Sequence, residues 1–255
     1  MRKKHVLIAG VMMGMVVLTT SCVNQKAVFE KTVSENRVLK DFEEIEINGS
    51  PTVYYTQGNK FSVTVKGPES QVNNIITEKD GKTLIIRNKG KIGFVNFQLG
   101  DEGDLTVDVT SPDLTGIRLN GSGDFISEKR IDTDELDIML RGSGDIDVKD
   151  VICDRCNVEL IGSGDIDLDC MDTREMSASL VGSGDIELHL WNTTDTRLAL
   201  KGSGDIMATF HDHCDAVECE LRGSGDITLK GQVSHFSKEK SGSGDVSVGQ
   251  LSIRP

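Results

Sequence analysis

The 255-residue chain is strongly acidic, with 41 Asp and Glu against 28 Lys and Arg and a formal net charge of −13. This charge argues against nucleic acid and anionic membrane surfaces as partners, because both repel an acidic protein. Hydrophobic residues make up 37% and aromatic residues only 4% of the chain, which is thin for a globular core but sufficient for a narrow repetitive fold lined with Ile, Leu and Val.

Residues 1–22 have the pattern of a secretory targeting segment. A basic start, Arg2–Lys4, precedes the apolar stretch Val6–Leu18, and small residues then lead to Cys22. The apolar stretch, of about 13 residues, is too short to span a bilayer comfortably. Small residues directly before a cysteine resemble a bacterial lipoprotein box, which implies that Cys22 is acylated and becomes the first residue of the mature chain. The alternative is an ordinary cleaved signal peptide with an incidental cysteine.

The region before the repeats is predicted in two parts. Residues 23–37 are polar and should form a tether, whereas residues 38–113 contain short alternating segments typical of an N-terminal β region, either irregular coils or a cap. Glu69–Thr77 is the only plausible helix, and Asp80-Gly81 predicts a hairpin turn. Because no Pro/Gly/Ser-rich linker follows, this region should continue into residues 114–255.

The second half of the chain is organised by the tetrapeptide Gly-Ser-Gly-Asp, which occurs seven times. The copies start 21, 20, 20, 20, 21 and 19 residues apart, a regular period typical of stacked coils. Apolar and polar residues alternate on both sides of each copy, which predicts strands with one buried face. Each coil should therefore contain a strand, a tight corner, a second strand and a polar-rich return. The copies begin at Gly121, Gly142, Gly162, Gly182, Gly202, Gly223 and Gly242.

Aligning the copies produces columns of like residues. A leucine lies two residues before the first glycine in six copies, and an aliphatic residue or Phe follows each aspartate. Such columns are expected when parallel strands are stacked ~4.8 Å apart. Parallel strands that follow one another in this way favour a right-handed crossover. The sequence therefore predicts an all-β, right-handed parallel β-helix, or solenoid, with coils of about 20 residues.

The tetrapeptide itself suits a tight corner. Its glycines allow positive φ angles or close backbone approach, and its Ser and Asp side chains can bond nearby backbone groups. Asn48–Pro51 is a candidate degenerate corner. The aspartates should form a ladder in which unit charges ~5 Å apart repel by about 1 kcal/mol in water. This ladder is interpreted as a structural element, with Ca²⁺ binding as the alternative. It consists of Asp124, Asp145, Asp165, Asp185, Asp205, Asp226 and Asp245.

Several segments together carry a family resemblance. Phe42–Ile45, Gly67–Glu69, Asp80–Ile86 and Val109–Leu114, followed by the seven corners, resemble the head GIN domain family of auto-transporter adhesins, which is frequent among lipoproteins of Bacteroidetes. The resemblance covers about residues 38–250. It implies a right-handed β-solenoid on the cell envelope and supplies no catalytic or binding residues.

Other chemical groups have plainer interpretations. Cys156 and Cys219 fall at inward positions and should be buried thiols, whereas Cys153 and Cys170 lie almost one coil apart and could pair in an oxidising compartment. The run His211–Cys214 contains residue types that suit zinc, but a solvated polar segment is the favoured interpretation. We expect no metal, no cofactor and no catalytic residue.

The expected function is that of a non-catalytic binding or adhesion protein of the cell envelope. It would be lipid-anchored, in the outer membrane, and would bind an envelope or extracellular glycan or protein through its repetitive acidic surface. Outward Ile161 and Val181 are a candidate contact between copies of the chain. The alternatives are a polysaccharide-active β-helix enzyme and a purely structural envelope protein. Carboxylates that follow the repeat favour binding, because catalysis needs a unique constellation of groups.

Overall fold

A computed structural model describes residues 31–90 and 105–254 of the chain. The described residues are nearly all β and form a β-solenoid of about 7 turns of roughly 20 residues, which confirms the predicted fold class. The strands are β1 (Thr32–Arg37), β2 (Glu44–Gly49), β3 (Thr52–Gln57), β4 (Ser62–Pro68), β5 (Ile75–Asp80), β6 (Thr83–Asn88), β7 (Thr106–Ser111), β8 (Gly116–Gly121), β9 (Asp124–Ser127), β10 (Ile131–Asp132), β11 (Glu135–Gly142), β12 (Asp145–Val148), β13 (Val151–Gly162), β14 (Ile166–Gly182), β15 (Ile186–Trp191), β16 (Asp195–Gly202), β17 (Ile206–Gly223), β18 (Ile227–Gly242) and β19 (Val246–Ile253); the helix α1 is Glu69–Val72.

The predicted columns are present as parallel strand registers. On the side of the coil that leads into each corner, Leu140 is aligned with Leu160 and Leu160 with Leu180. On the side that leaves the corner, Ile146 is aligned with Ile166. All these side chains are buried, because alternation along each strand sends every second residue inward. We call these two surfaces the leading sheet and the trailing sheet.

The return between the two sheets is itself largely strand. The sequence predicts a polar-rich return, but β14 continues from Ile166 through it to the next corner. The return is therefore polar-rich, as predicted, but it also forms a strand, which the repeat pattern did not indicate. The backbone groups of a return need hydrogen-bond partners, and the neighbouring parallel coil supplies them. Inward residues of the returns form a further buried column, which consists of Ile131, Val151, Met171, Leu190 and Phe210.

The corners need glycine for two reasons. Gly162 has a φ of +146°, a backbone conformation that residues with a side chain rarely adopt. A Cβ added there would lie 2.0 Å from the carbonyl oxygen of Gly142 in the coil below. The second glycine of the same corner, Gly164, would place its Cβ 1.9 Å from the oxygen of Gly144. Stacking of backbone on backbone therefore excludes any side chain at either position.

The N-terminal β region is hydrogen-bonded to the regular coils. Strand β2 pairs in parallel with β8, and β3 pairs with β9. Asn48–Pro51 therefore forms a corner that stacks directly on the first Gly-Ser-Gly-Asp copy, as the sequence predicts. The amide of Ser122 donates to the carbonyl oxygen of Gly49 at 3.0 Å.

Two sequence predictions in this region need correction. Residues 32–37 belong to strand β1, which pairs antiparallel with β4, so the expected tether 23–37 is wrong at its C-terminal end. The alternation of β1 lets Val33 pack against the core. The helix is only Glu69–Val72, because the residues from Ile75 onward pair antiparallel with β6 instead. That pairing is the predicted hairpin around Asp80-Gly81.

The largest buried side chains of the core lie near the junction of the irregular and regular coils. Tyr55 stacks on Phe125 with ring centroids 6.1 Å apart, and its hydroxyl lies 3.0 Å from Ser111 Oγ. Burial raises the pKa of Tyr55 to about 12. The wider aromatic rings fill the space where the irregular N-terminal strands meet the repeating aliphatic columns.

Candidate functional site

The aspartate ladder is a chain of hydrogen bonds between coils. The backbone N–H of Asp165 donates to Oδ1 of Asp145 at 3.1 Å, and the N–H of Asp185 donates to Oδ1 of Asp165 at 2.9 Å. The same contact continues through Asp205, Asp226 and Asp245, at 2.9, 2.8 and 2.7 Å. At the start of the ladder, Asp124 accepts from the hydroxyl of Thr52 at 3.0 Å. Five of the seven carboxylates thus bond a backbone group at the bend of the next coil, namely those of Asp145, Asp165, Asp185, Asp205 and Asp226.

A second acidic feature lies beside the ladder on the trailing sheet. Asp147, Asp167 and Glu187 occupy the same outward position in three successive coils, and we call them the acidic row. Burial raises the pKa of Asp167, and the neighbouring carboxylates of Glu187 and Asp147 raise it further. Lys149 neutralises one end of the row, since its Nζ lies 3.0 Å from Asp147 and 2.8 Å from Asp169.

Cys153 and Cys170 do not pair, although the sequence left this possibility open. Cys153 is aligned with Thr173 of the next coil, to which its thiol is hydrogen-bonded at 3.5 Å. Cys170 lies at a register shift between Leu168 and Met171, and both thiols are free in this structure.

Inward alternation buries most of the described thiols. Cys156 and Cys219 are buried, as the sequence predicts, and burial raises the pKa of Cys219 to about 12. Cys214 is buried as well and bonds the carbonyl oxygens of Thr194 and Ala216. These thiols therefore have a structural role inside the coils.

The local run His211–Cys214 does not converge on one point. His213 is hydrogen-bonded to Ser234 at 2.8 Å, and Cys214 turns into the core. His211 contacts the preceding coil instead. Over residues 31–90 and 105–254 there is no group of three or more His, Cys, Asp or Glu side chains that could hold a metal ion.

The structure brings together four side chains that sequence reasoning did not connect. His189 Nδ1 lies 3.1 Å from His211 Nε2, and His189 Nε2 lies 3.1 Å from Glu187 Oε1. The ring of His211 stacks on Trp191 with centroids 3.9 Å apart and an interplanar angle of 6°. We call these residues the His–Trp cluster. The sequence could reveal this cluster only if the strand register were known. The register aligns Leu190 with Phe210 and so places His211 beside Trp191.

Ile161 and Val181 are neighbours on the outer side of the leading sheet, as their positions in the repeat suggest. They are aligned in adjacent coils and are 36% and 39% exposed. Arg141 precedes them in the same column and Lys201 follows them. The apolar patch is therefore two residues long and bounded by positive charge.

A shallow depression on the leading sheet is lined by charged side chains. The guanidinium of Arg155 contacts Glu135 at 2.8 Å and Glu175 at 3.0 Å, one carboxylate in each neighbouring coil. This arrangement follows the stacking period, so it has the form of an ion-pair ladder across three coils. Like the aspartate ladder, this ion-pair ladder repeats charged groups from one coil of the solenoid to the next.

Such a repetitive β-solenoid defines the class of the protein, and comparison with known proteins gives its family. Two overlapping segments, residues 41–216 and 179–254, match the family described as "Putative auto-transporter adhesin, head GIN domain". The chain belongs to this family. No curated protein shows a significant match.

Solved structures show the same fold. A "putative adhesin" from Bacteroides fragilis is 28% identical, with a TM-score of 0.77 over 85% of this chain and 96% of its own. A "putative adhesin" from Parabacteroides distasonis is 18% identical, with a TM-score of 0.69 over 86% and 97%. A "putative lipid binding protein" from the same organism is 22% identical, with a TM-score of 0.62 over 88% and 97%.

The family and the fold support an adhesion-like role and suggest association with the cell envelope. The names of the relatives also suggest a protein that is not an enzyme. The predicted signal segment and the lipidation site Cys22 lie outside the described residues. Among the helices of the described residues, none is long and apolar enough to cross a membrane.

Proposed function

We propose that the protein is a non-catalytic, lipid-anchored adhesion protein of the outer membrane, which presents its solenoid as a binding surface for a glycan or protein. The single observation that carries this proposal is the acidic row, because its three carboxylates are exposed or half-buried on a continuous parallel sheet and recur at the strand spacing. Regular spacing suits a partner with repeated groups, since many weak contacts then act together. Hydroxyl-rich or cationic partners fit this charge.

A glycan array combined with a pull-down from envelope extracts tests this proposal. Binding to a hydroxyl-rich or cationic component is expected, and it should weaken as salt screens the carboxylates. The triple variant Asp147→Asn, Asp167→Asn, Glu187→Gln removes the acidic row and should reduce binding at least tenfold. The matched control Glu159→Gln, Glu218→Gln, Glu239→Gln removes the same charge from the outer side of the leading sheet and should bind like the wild type. Equal loss in both variants would reject the row as the contact.

Catalytic turnover of a polysaccharide by the purified protein would contradict the proposed non-catalytic function. Release of reducing sugar or of an unsaturated uronide, abolished by substitution of one carboxylate, would assign the protein to the polysaccharide-active enzymes. An envelope defect on deletion of the gene, without any ligand in either binding assay, would instead indicate a purely structural protein.

The membrane anchor is proposed from the sequence alone. Acylation of Cys22 would add a lipid chain whose burial contributes about 0.8 kcal/mol per CH₂ group. Cells that express Cys22→Ser should therefore release the protein from the membrane fraction, whereas wild type should remain there and incorporate labelled fatty acid. Protease treatment of intact cells then distinguishes a surface-facing from a periplasmic orientation.

Self-association through the leading sheet is part of the same proposal. Ile161 and Val181 would meet the same residues of a second copy across a two-fold axis. Light scattering of the purified protein should show a dimer that the variant Ile161→Glu converts to a monomer. If the wild-type protein is monomeric over the whole accessible concentration range, self-association is not part of its function.

A further inference from the structure

The His–Trp cluster contains two imidazole nitrogens that point at each other across adjacent coils. His189 lies on β15 and His211 on β17, and the atoms Nδ1 and Nε2 are 3.1 Å apart. A metal ion that binds imidazole at about 2.0–2.1 Å separates two such nitrogens by roughly 2.9–3.4 Å when the N–metal–N angle is between 90° and tetrahedral. The separation in the structure falls within this range without movement of either strand.

Glu187 determines which nitrogen of His189 is free to bind. Its Oε1 atom lies 3.1 Å from Nε2 of His189, on the side of the ring away from His211. A carboxylate accepts a hydrogen bond, so Nε2 carries the proton and the lone pair of Nδ1 accepts a hydrogen bond from Nε2–H of His211. A metal ion bound to both nitrogens would displace this His211 proton to solvent. A histidine whose second nitrogen donates to a carboxylate is the usual arrangement around protein-bound metals, since the carboxylate fixes the tautomer and raises the basicity of the ligand.

Trp191 positions the second imidazole. The indole lies 3.9 Å from the ring of His211 and nearly parallel to it, which restricts rotation of a side chain that is otherwise exposed. The His189 ring is also stacked against that of His211, with centroids 5.4 Å apart. Both imidazoles are thus oriented before any ion arrives, which lowers the entropic cost of binding.

We propose that His189 and His211 form a two-imidazole site for a divalent transition-metal ion, with Glu187 as the positioning residue of His189. Imidazole ligands suit Cu²⁺, Ni²⁺ and Zn²⁺, and among these the affinity is highest for Cu²⁺. Because the site supplies two protein ligands, water or a group of a partner completes the coordination. Mg²⁺ and Ca²⁺ prefer oxygen ligands and should not compete. This site is independent of the acidic-row proposal except for the shared residue Glu187.

The chain provides its own reporter for this site. Trp191 is the only tryptophan of the sequence and stacks on one of the proposed ligands. Titration of the purified protein with CuCl₂ should quench its fluorescence in a saturable manner with a stoichiometry of one. Electron paramagnetic resonance of the Cu²⁺ complex should show nitrogen coupling from two imidazoles. A tenfold excess of Mg²⁺ should leave the titration unchanged.

Substitutions separate this site from general copper binding. His189→Gln and His211→Gln should each weaken the saturable quenching at least tenfold, and Glu187→Gln should weaken it about 10- to 100-fold, the range known for such outer carboxylates. His235→Gln is the matched control, because His235 is exposed and contacts the carbonyl oxygen of Asp215 instead. Thermal melting confirms that each variant is folded. Non-saturable quenching in the wild type, or wild-type titration of folded His189→Gln and His211→Gln, would overturn the site.

Discussion

The backbone N–H of Asp185 donates to the Oδ1 atom of Asp165 at 2.9 Å, across the boundary between two coils. In the opposite direction, the N–H of Ile166 donates to the carbonyl oxygen of Asp185 at 3.0 Å. The aspartate side chain therefore supplies a backbone hydrogen bond that the bend would otherwise leave to water. This pairing explains why one aspartate per coil accompanies the two glycines of the corner.

Replacing Asp165 tests the hydrogen-bonding role of the ladder. Asp165→Ala removes the acceptor of the Asp185 N–H and should lower the free energy of unfolding by about 0.5–1.5 kcal/mol, the net value of one hydrogen bond. Asp165→Asn keeps an oxygen acceptor at the same position and should lie close to wild type. Urea unfolding monitored by circular dichroism provides the measurement. Equal destabilisation by both substitutions would show that the charge, rather than the acceptor, is what matters.

The ladder also makes a prediction about calcium. Since its carboxylates already accept protein N–H groups and contribute one side chain per coil, they offer few of the six to eight oxygens that Ca²⁺ requires. Addition of calcium or of a chelator should leave the melting temperature nearly unchanged. A saturable rise of many degrees at sub-millimolar calcium would instead indicate binding to the folded state, because a ligand of the folded state stabilises it by mass action.

Gly182 and Gly249 form a matched pair for the stacking of the corners. Gly182 has a φ of +148°, and a Cβ added there would lie 1.9 Å from the oxygen of Gly162, whereas a Cβ on Gly249 would meet nothing within 4 Å. Gly182→Ala should therefore cost at least about 3 kcal/mol, from strain together with displacement of the neighbouring backbone. Gly249→Ala should retain the wild-type melting temperature. Similar melting curves for the two variants would contradict the stacking described for the corners.

Leu180 and Val181 test the inward and outward assignment, because they are adjacent in sequence and face opposite ways. Leu180 is fully buried in the leucine column, whereas Val181 is 39% exposed. Leu180→Ala should lower the free energy of unfolding by about 2–5 kcal/mol, as expected for a cavity in a packed core. Val181→Ala should change it by less than about 0.5 kcal/mol, the usual range for surface substitutions. A one-residue error in register would reverse this order.

The repeat itself explains how much of the fold could be predicted from the sequence. The glycine represented by Gly162 recurs in all seven copies and the leucine represented by Leu160 in six, so the corner, the alternation and the column follow directly from period and backbone sterics. The returns have no such marker. Met171 and Leu190 occupy one column in space, yet they are 19 residues apart because a register shift intervenes. The strand character of the returns therefore becomes visible only when the neighbouring coils are present.

The candidate functional groups also differ in whether the sequence alone could place them. The aspartate ladder could be placed from the sequence because it belongs to the repeat, although its hydrogen bonds could not be measured there. The contact between His189 and His211 could not be found, since it is diagonal and spans 22 residues in a chain whose corners recur every 19 to 21. Off-period contacts of this kind depend on side-chain direction, which alternation predicts only as inward or outward.

The pH dependence of stability should reveal the acidic row. Burial and the carboxylates of Glu187 and Asp147 raise the pKa of Asp167, so the folded protein holds a proton there that the unfolded chain has already lost. Stability must therefore fall as the pH rises from the ordinary pKa of an aspartate through the raised value, and it remains lower at pH 7. Asp167→Asn removes this pH-dependent loss of stability. Its urea midpoint should exceed that of wild type at pH 7, and the two midpoints should converge near pH 3.

The size and origin of this effect can be separated from net charge. The carboxyl of Asp167 is only partly buried and the residue as a whole is exposed, so solvent screening keeps the gain small and higher salt should reduce it further. Asp212→Asn provides the control, because Asp212 is exposed, lies outside the acidic row and gives the same change in net charge. It should leave the midpoint at pH 7 close to wild type. If the urea midpoints of both variants rise equally, the repulsion belongs to the acidic protein as a whole. If only Asp167→Asn raises the midpoint, and more at pH 7 than at pH 3, the repulsion lies in the acidic row.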